Sequence, residues 1–575
     1  MAFQVSPGVE VKEIDLTNVV PAVSTSIGAI AGAFAWGPVE EIVQVGSEKQ
    51  LVDRFYEPND TTFKFFMPAA QFLQYANDLR VVRTANDGQL NANADGDGVL
   101  VKNEASFENQ TFASGDEFIA KYPGDLGNSI GVYVATNATA FESSDFERFA
   151  PLFDFAPTTT DYAGVDERGV ESDELHVVVV DENGEITGTP GEVLEIFAGL
   201  SQASDAKKSN GTTNYYVDVI NNQSQYVWIG VADSALPESG VRTSDTDSLI
   251  ATSDSEVFEY TTSDTVFSYD LTGGTAGTSD EPSVGELEDA YALFNDAETV
   301  DINLIIGVPT SDSDDVTFAN NLISVGEQRR DVVVFVSPSI SRTVNNVNAA
   351  SDVIEWADQL TSSSYAVLDS TALYVYDKYN DVFRYINAAG DIAGLCAFTD
   401  NVQDPWFSPA GFNRGQIRGV TKIAFNPIKG ERDSLYKARV NPIVSFPGEG
   451  TVLFGDKTAL ARPSAFDRIN VRRLFIALEK AVSTAAKFQL FELNDEFTRA
   501  QFRNLVEPFL RDVRGRRGVT DFAVICDETN NTPEVIDTNR FVADIYIQPA
   551  RSINFITLNF IATRTGVEFS EIAGQ

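Results

Sequence analysis

Polar and apolar residues alternate at the start of the chain. Phe3, Val5, Val9 and Val11 fall on one face of an extended segment, and Gln4, Ser6, Glu10 and Lys12 on the other. Pro7-Gly8 interrupts the run, which marks a broken or edge strand. A strand that precedes any core gains order only by joining an existing sheet edge. Residues 19–39 carry no charge and hold Gly28 and Gly32 at the spacing of a membrane dimerisation helix. Pro21, Ser24, Thr25, Ser26 and Pro38, with an Ala-dominated apolar content, favour instead a buried strand closing in a turn at Trp36-Gly37-Pro38. No membrane insertion is expected.

From Phe63 to Ala85 the pattern becomes a helix, with Phe66, Ala70, Leu73 and Ala76 on one face, leading into an extended run from Leu79 to Arg83. Residues 86–343 are rich in Asp, Ser, Thr, Gly and Asn, with short strands expected at Glu174 to Val180 and Tyr215 to Ile220. This reads as an acidic, β-rich region inserted into a core domain. Asp331 to Ser337 has the Val/Phe run of a central strand. After Asp467, Val471, Leu474, Phe475, Leu478 and Val482 take helical spacing. Phe502, Leu505, Val506, Phe509, Leu510 and Val513 form a second helical stripe, with Pro508 predicting a kink or restart. Strands are expected at Phe522 to Cys526, Phe541 to Gln548 and Ser552 to Thr563, then an extended piece from Gly566 to Ile572. The expected fold class is α+β and multidomain. Its parts are an N-terminal arm (1–20), a core domain in two passages (21–90 and 344–465), inserted outer domains (91–343), a C-terminal α+β domain (466–563) and a C-terminal arm (564–575).

Charge changes this picture most. The 575 residues hold 41 Lys/Arg against 85 Asp/Glu, a net charge of −44. Residues 414–575 hold 23 basic against 19 acidic residues, so the first 413 keep only 18 basic against 66 acidic. The acidic part suits a solvated, mutually repelling surface and disfavours nucleic acid, whose phosphates need clustered Lys/Arg. The near-neutral part suits packing against something. No secretion signal is read at the start. Cys396 and Cys526, far apart and in apolar runs, suggest buried thiols rather than a disulfide or a metal knuckle.

Candidate chemistry is sparse. The one histidine, His176, sits in a strand with no second histidine to share a metal, and no nucleophile elbow accompanies it. Leu271 to Thr278 is glycine-rich but lacks the Gly-Lys-Ser/Thr ending of a phosphate loop, so a turn or close backbone approach is expected. Asn91, Asn93, Asp95 and Gly96, followed by Asp97, match the start of a calcium loop, yet its twelfth position is Lys102, and a solvated acidic loop is the better reading. Arg511, Arg514, Arg516 and Arg517 crowd a helix end. They either complement the helix dipole, at a few tenths to about 1 kcal/mol per charge, or dock an acidic partner. No enzyme activity, cofactor or metal is expected.

Several segments together resemble the contractile tail sheath proteins of myovirus-type bacteriophages, with Asn210 to Tyr226 closest to the T4-like branch. They are Val5-Ser6-Pro7-Gly8-Val9, Trp36-Gly37-Pro38, Ala120 to Ile130, Leu271 to Thr275, Gly390 to Gly394, Ser408 to Gly411, Asn470 to Leu474, Phe491-Glu492-Leu493-Asn494 and Asn554 to Thr557. The resemblance implies a structural subunit that polymerises into a helical cylinder of stacked, hexameric rings around a tail tube. Contraction would then drive that tube through the host envelope. It also implies terminal arms that add strands to neighbouring copies, here Phe3, Val5, Val9 and Val11 and, at the other end, Val567, Phe569 and Ile572. The arginines at 511, 514, 516 and 517 would face the tube. Baseplate and tail terminator proteins would be further partners, and the protein would reside in the virion after assembly in the host cytoplasm. The rivals are the sheath of a tailocin or secretion-type injection system and, from another class, an acidic surface-layer or adhesion protein.

Overall fold

The computed structural model describes residues 24–162, 170–171, 173–231, 258–259, 266–278, 281–311, 313–554 and 557–558. These fall into two compact units: Ser24–Val402 with Pro409–Pro463, and Gln403–Ser408 with the described part of Ser464–Gln575. The expected arm residues Phe3, Val5, Val9, Val11, Val567, Phe569 and Ile572 lie outside the described residues.

The larger unit is organised on a seven-stranded sheet. From edge to edge its strands are Val440–Asn441, Ala366–Asp369, Val333–Val336, Leu304–Gly307, Gly28–Gly32, Leu79–Arg83 and Ile42–Val45. All neighbours are parallel except the last pair, which is antiparallel. Short Val/Ile/Leu runs covered on both faces are what a parallel sheet requires, and Gly28–Gly32 is wholly buried. The expected buried strand and the helix-to-strand run are thus present, as Gly28–Gly32, helix Phe63–Leu73 and strand Leu79–Arg83. The central sheet regains the chain at Leu304, so residues 304–343 contribute two of its strands.

Helix Ala389–Val402 packs on helix Phe63–Leu73 through two glycines. A Cβ on Gly390 would lie 2.2 Å from the Pro68 carbonyl oxygen, and one on Gly394 would lie 2.4 Å from the Tyr75 ring. Such an approach brings the helix backbones closer than any side chain allows.

The inserted region carries a four-stranded antiparallel sheet in the order Phe267–Asp270, Ile130–Ala135, Glu174–Asp181, Glu192–Ser201. The strand expected at Tyr215 to Ile220 is a helix, Tyr216–Gln223. Its aromatic and β-branched composition suggests a strand, but Tyr216, Val219 and Ile220 are the buried positions, and that spacing is helical. His176 is a satisfied core residue. Its Nδ1 accepts from the Gly199 N–H, its Nε2 meets the Phe155 carbonyl at 2.9 Å, and its ring stacks on Phe153.

The two suspect loops meet each other. The Gly98 and Gly273 backbones touch so closely that a Cβ on Gly273 would fall 2.4 Å from the Gly96 carbonyl oxygen. Asn93 Oδ1 accepts from the N–H groups of Gly96 and Gly98, and Asn91 Oδ1 accepts from the Val101 N–H. The side-chain oxygens of both asparagines are therefore engaged in holding backbone, and both residues are buried.

Candidate inter-subunit surface

The smaller unit begins with helix Ile469–Ala486, whose buried Leu474 and Leu478 face helix Glu496–Gly515. The second helix continues through Pro508, so the chain does not restart there as one of the two expected outcomes had it. Pro508 lies on the exposed side of the helix, where the carbonyl that its ring deprives of a donor is open to solvent. The chain then forms a two-stranded antiparallel ribbon, Val519–Ile525 with Asp544–Pro549, in the register Phe522 to Ile547 and Val524 to Ile545. Those four side chains pack on Phe502, Val506, Leu510 and Val513. The other face of the ribbon presents Asp521, Ala523, Tyr546 and Gln548 to solvent. Among the described residues no third strand pairs with either outer edge of the ribbon. Each edge carries a row of N–H and C=O groups turned outward, the template for strand addition.

At the end of helix Glu496–Gly515 the four arginines are not equivalent. Arg511 reaches Glu507 at 3.9 Å, and Arg514 reaches Asp521 at 3.4 Å. Arg516 pairs with Asp404 and, at 3.7 Å, with Asp512, and its guanidinium lies 5.1 Å from the centre of the Trp406 ring. The Trp406 indole N–H in turn donates to the Arg516 carbonyl at 3.1 Å. Arg516 thus acts as a clasp for the Gln403–Ser408 segment. Arg517 takes a left-handed conformation (φ +67°) past the helix end and is exposed. All four sit where the helix dipole favours cations.

The composition pattern did not single out two features as sites. The first is Arg83, buried in the larger unit, which donates to the carbonyls of Gly37 and Pro123 at 2.9 and 2.6 Å. Burial lowers its pKa to about 9. This side chain ties together the Trp36-Gly37-Pro38 and Tyr122-Pro123-Gly124 segments noted above. The second is the turn between the two helices of the smaller unit, where Phe488, Leu490, Phe491, Leu493 and Phe497 all stand in solvent. Among the described residues there is no group of three or more His, Cys, Asp or Glu side chains arranged to hold a metal. No described helix is long and apolar enough to cross a membrane.

Comparison with known proteins accords with this architecture. Residues 25–84 match the model of the tail sheath protein Gp18 domain III N-terminal region, residues 286–459 the phage tail sheath protein central domain, and residues 461–563 the phage tail sheath C-terminal domain. The tail sheath protein of Enterobacteria phage T4 is 36% identical, with 99% of each chain covered. That of Vibrio phage KVP40 is 35% identical over the same shares. Among solved structures, the helical sheath of the anti-feeding prophage in its contracted state covers 98% of this chain and 100% of its own, at 12% identity and a TM-score of 0.51. The sheath tail protein from Desulfitobacterium hafniense covers 90% and 94%, at 12% identity and a TM-score of 0.50. These last two share the fold. With full-length relatives above a third identical and three sheath domains matched in order, the chain belongs to the phage tail sheath protein family.

Proposed function

We propose that the chain is a non-catalytic subunit of a contractile tail sheath that polymerises by giving its terminal segments to the open ribbons of neighbouring copies. The observation that carries this reading is the two-stranded ribbon with both edges unpaired among the described residues. The helix beneath covers one face of the ribbon, and a strand added at either edge would pair the backbone groups left open there. The donors are residues 1–20, with Phe3, Val5, Val9 and Val11 on one face, and residues 564–575, with Val567, Phe569 and Ile572. Each backbone hydrogen bond adds only about 0.5–1.5 kcal/mol, but every subunit repeats the set.

Copies joined this way stack as hexameric rings with helical offset. Linkers next to the arms let subunits rotate while they remain threaded, and contraction releases interface energy to drive the tube. Arg511 and Arg517, the more exposed charges of the cluster, face an acidic tube surface. The baseplate and tail terminator proteins cap the cylinder, which assembles in the host cytoplasm. The acidic inserted region lies outward, where like charge keeps particles apart.

Deletion of residues 1–12 tests the arm. The truncated chain is expected to stay folded and monomeric, without long tubes under negative stain. Long contractile tubes from the truncated chain would sink the assignment. For the tube contact, Arg511→Glu with Arg517→Glu should weaken tube binding by more than the small loss of subunit stability expected from reversing charge at a helix C-terminus; unaltered binding removes it.

A further inference from the structure

The turn between helices Ile469–Ala486 and Glu496–Gly515 displays more apolar surface than a solvated loop should. Phe488, Leu490, Phe491, Leu493 and Phe497 are each at least 63% exposed. Together they offer on the order of 600–700 Å² of apolar area, at roughly 200 Å² for each phenylalanine and somewhat less for each leucine. That approaches the ~800 Å² that one partner contributes to a standard interface, and it exceeds the patches that monomers ordinarily leave open.

The turn is built rather than loose. Asn494 Nδ2 donates to the Arg540 carbonyl at 2.8 Å and to Asn531 Oδ1 at 3.2 Å, and Arg499 donates to Asn494 Oδ1 at 2.9 Å. Asn531 itself bridges to both backbone groups of Val542. Asp495 caps the second helix by accepting from the Thr498 N–H at 2.8 Å. Between these anchors Phe491 holds a left-handed backbone (φ +69°), a conformation that costs a bulky side chain about 1–3 kcal/mol. The polar residues of Phe491-Glu492-Leu493-Asn494-Asp495 thus make the turn, and the apolar ones are left facing out.

We infer that this patch is a docking surface for a second copy of this chain, separate from the ribbon edges. Its rim is net acidic, with exposed Glu492, Asp495 and Glu496 against Lys487, so its occupant has an apolar centre and no excess of negative charge. Residues 1–413, at 66 acidic against 18 basic, fail that condition, whereas residues 414–575, at 23 basic against 19 acidic, meet it. A neighbour's C-terminal part is therefore the complement that the chain itself supplies. The inference rests on the chain being a self-assembling sheath subunit.

The test places a photoreactive benzophenone-bearing phenylalanine at Phe491 of the full chain, assembled with and without tube protein. Irradiation is expected to give a band of twice the chain mass in both assemblies. A crosslink to tube protein, or tubes that form with no crosslink between copies, overturns the inference. A second variant, Phe491→Ser with Phe497→Ser, should raise the concentration needed for tube formation by about tenfold or more. Its melting temperature, and its binding of a peptide of residues 1–20, should stay unchanged. Normal assembly of this variant overturns the patch. Loss of peptide binding by the unaltered chain would instead count against the strand-exchange reading, so the two failures are distinguishable.

Discussion

Asp369 and Asp391 are both fully buried in the larger unit, and each leaves one carboxylate oxygen without a protein partner. Ser337 donates to Asp369, and the Tyr75 hydroxyl donates to Asp391 at 3.2 Å. Burial pushes Asp369 up to about 7, and burial with the nearby Asp369 pushes Asp391 up to about 8, against 3.8 for a free aspartate. Both carboxyls therefore hold a proton in the folded chain over a range where the unfolded chain has lost it. Their contribution to stability is complete below about pH 4 and is lost as pH rises toward 7 and 8. The slope is at most about 1.4 kcal/mol per pH unit for each group. Asp391→Asn should raise the melting temperature at pH 8 by several degrees and change it little at pH 4.5. Equal shifts at both pH values would show that Asp391 is not the proton holder.

At the scale of elements, helix Ala389–Val402 meets helix Phe63–Leu73 where Gly390 and Gly394 leave no room for a Cβ. Gly390→Ala must push against the Pro68 backbone and should cost about 1–3 kcal/mol, read from thermal melts of the monomeric arm-deleted chain. A neutral result would mean that the helices can part without loss. Elements with strong periodicity were legible: the helix at 63–73 and the strand at 79–83 lie within the expected stretch, and the helix pair at 469–486 and 496–515 and the ribbon strands at 519–525 and 544–549 overlap theirs with shifted ends. Tyr216–Gln223 was not, because Tyr and Val favour strands and only tertiary burial reveals the helical stripe. The parallel winding of the central sheet was also hidden. Its two- to five-residue strands lie far apart in sequence, and register across such distances leaves no local mark. The exposed turn at 488–497 escaped for the opposite reason, since Phe and Leu announce burial and the chain leaves them open. The arms at 1–20 and 564–575 were read from alternation and family resemblance, and they lie outside the described residues.

The whole molecule carries a charge of −44, concentrated in its first 413 residues. Bringing copies together concentrates that charge, and salt screens it, with a Debye length of about 10 Å at 0.1 M falling to about 3 Å at 1 M. Self-assembly should strengthen as salt rises from about 0.05 to 0.5 M, seen as more sedimentable tubes at equal protein. Binding of the Arg511 and Arg517 surface to an acidic tube should weaken over the same range. A fall in self-assembly with salt would mean that ion pairs, rather than strand addition and apolar contact, join the copies. The account stands most directly on where the chain ends go in the assembled particle. Electron cryo-microscopy of the tube at side-chain resolution decides it: residues 1–20 and 564–575 should trace onto the 519–525 and 544–549 edges of other copies. Density that returns each end to the ribbon of its own subunit would contradict polymerisation by strand exchange.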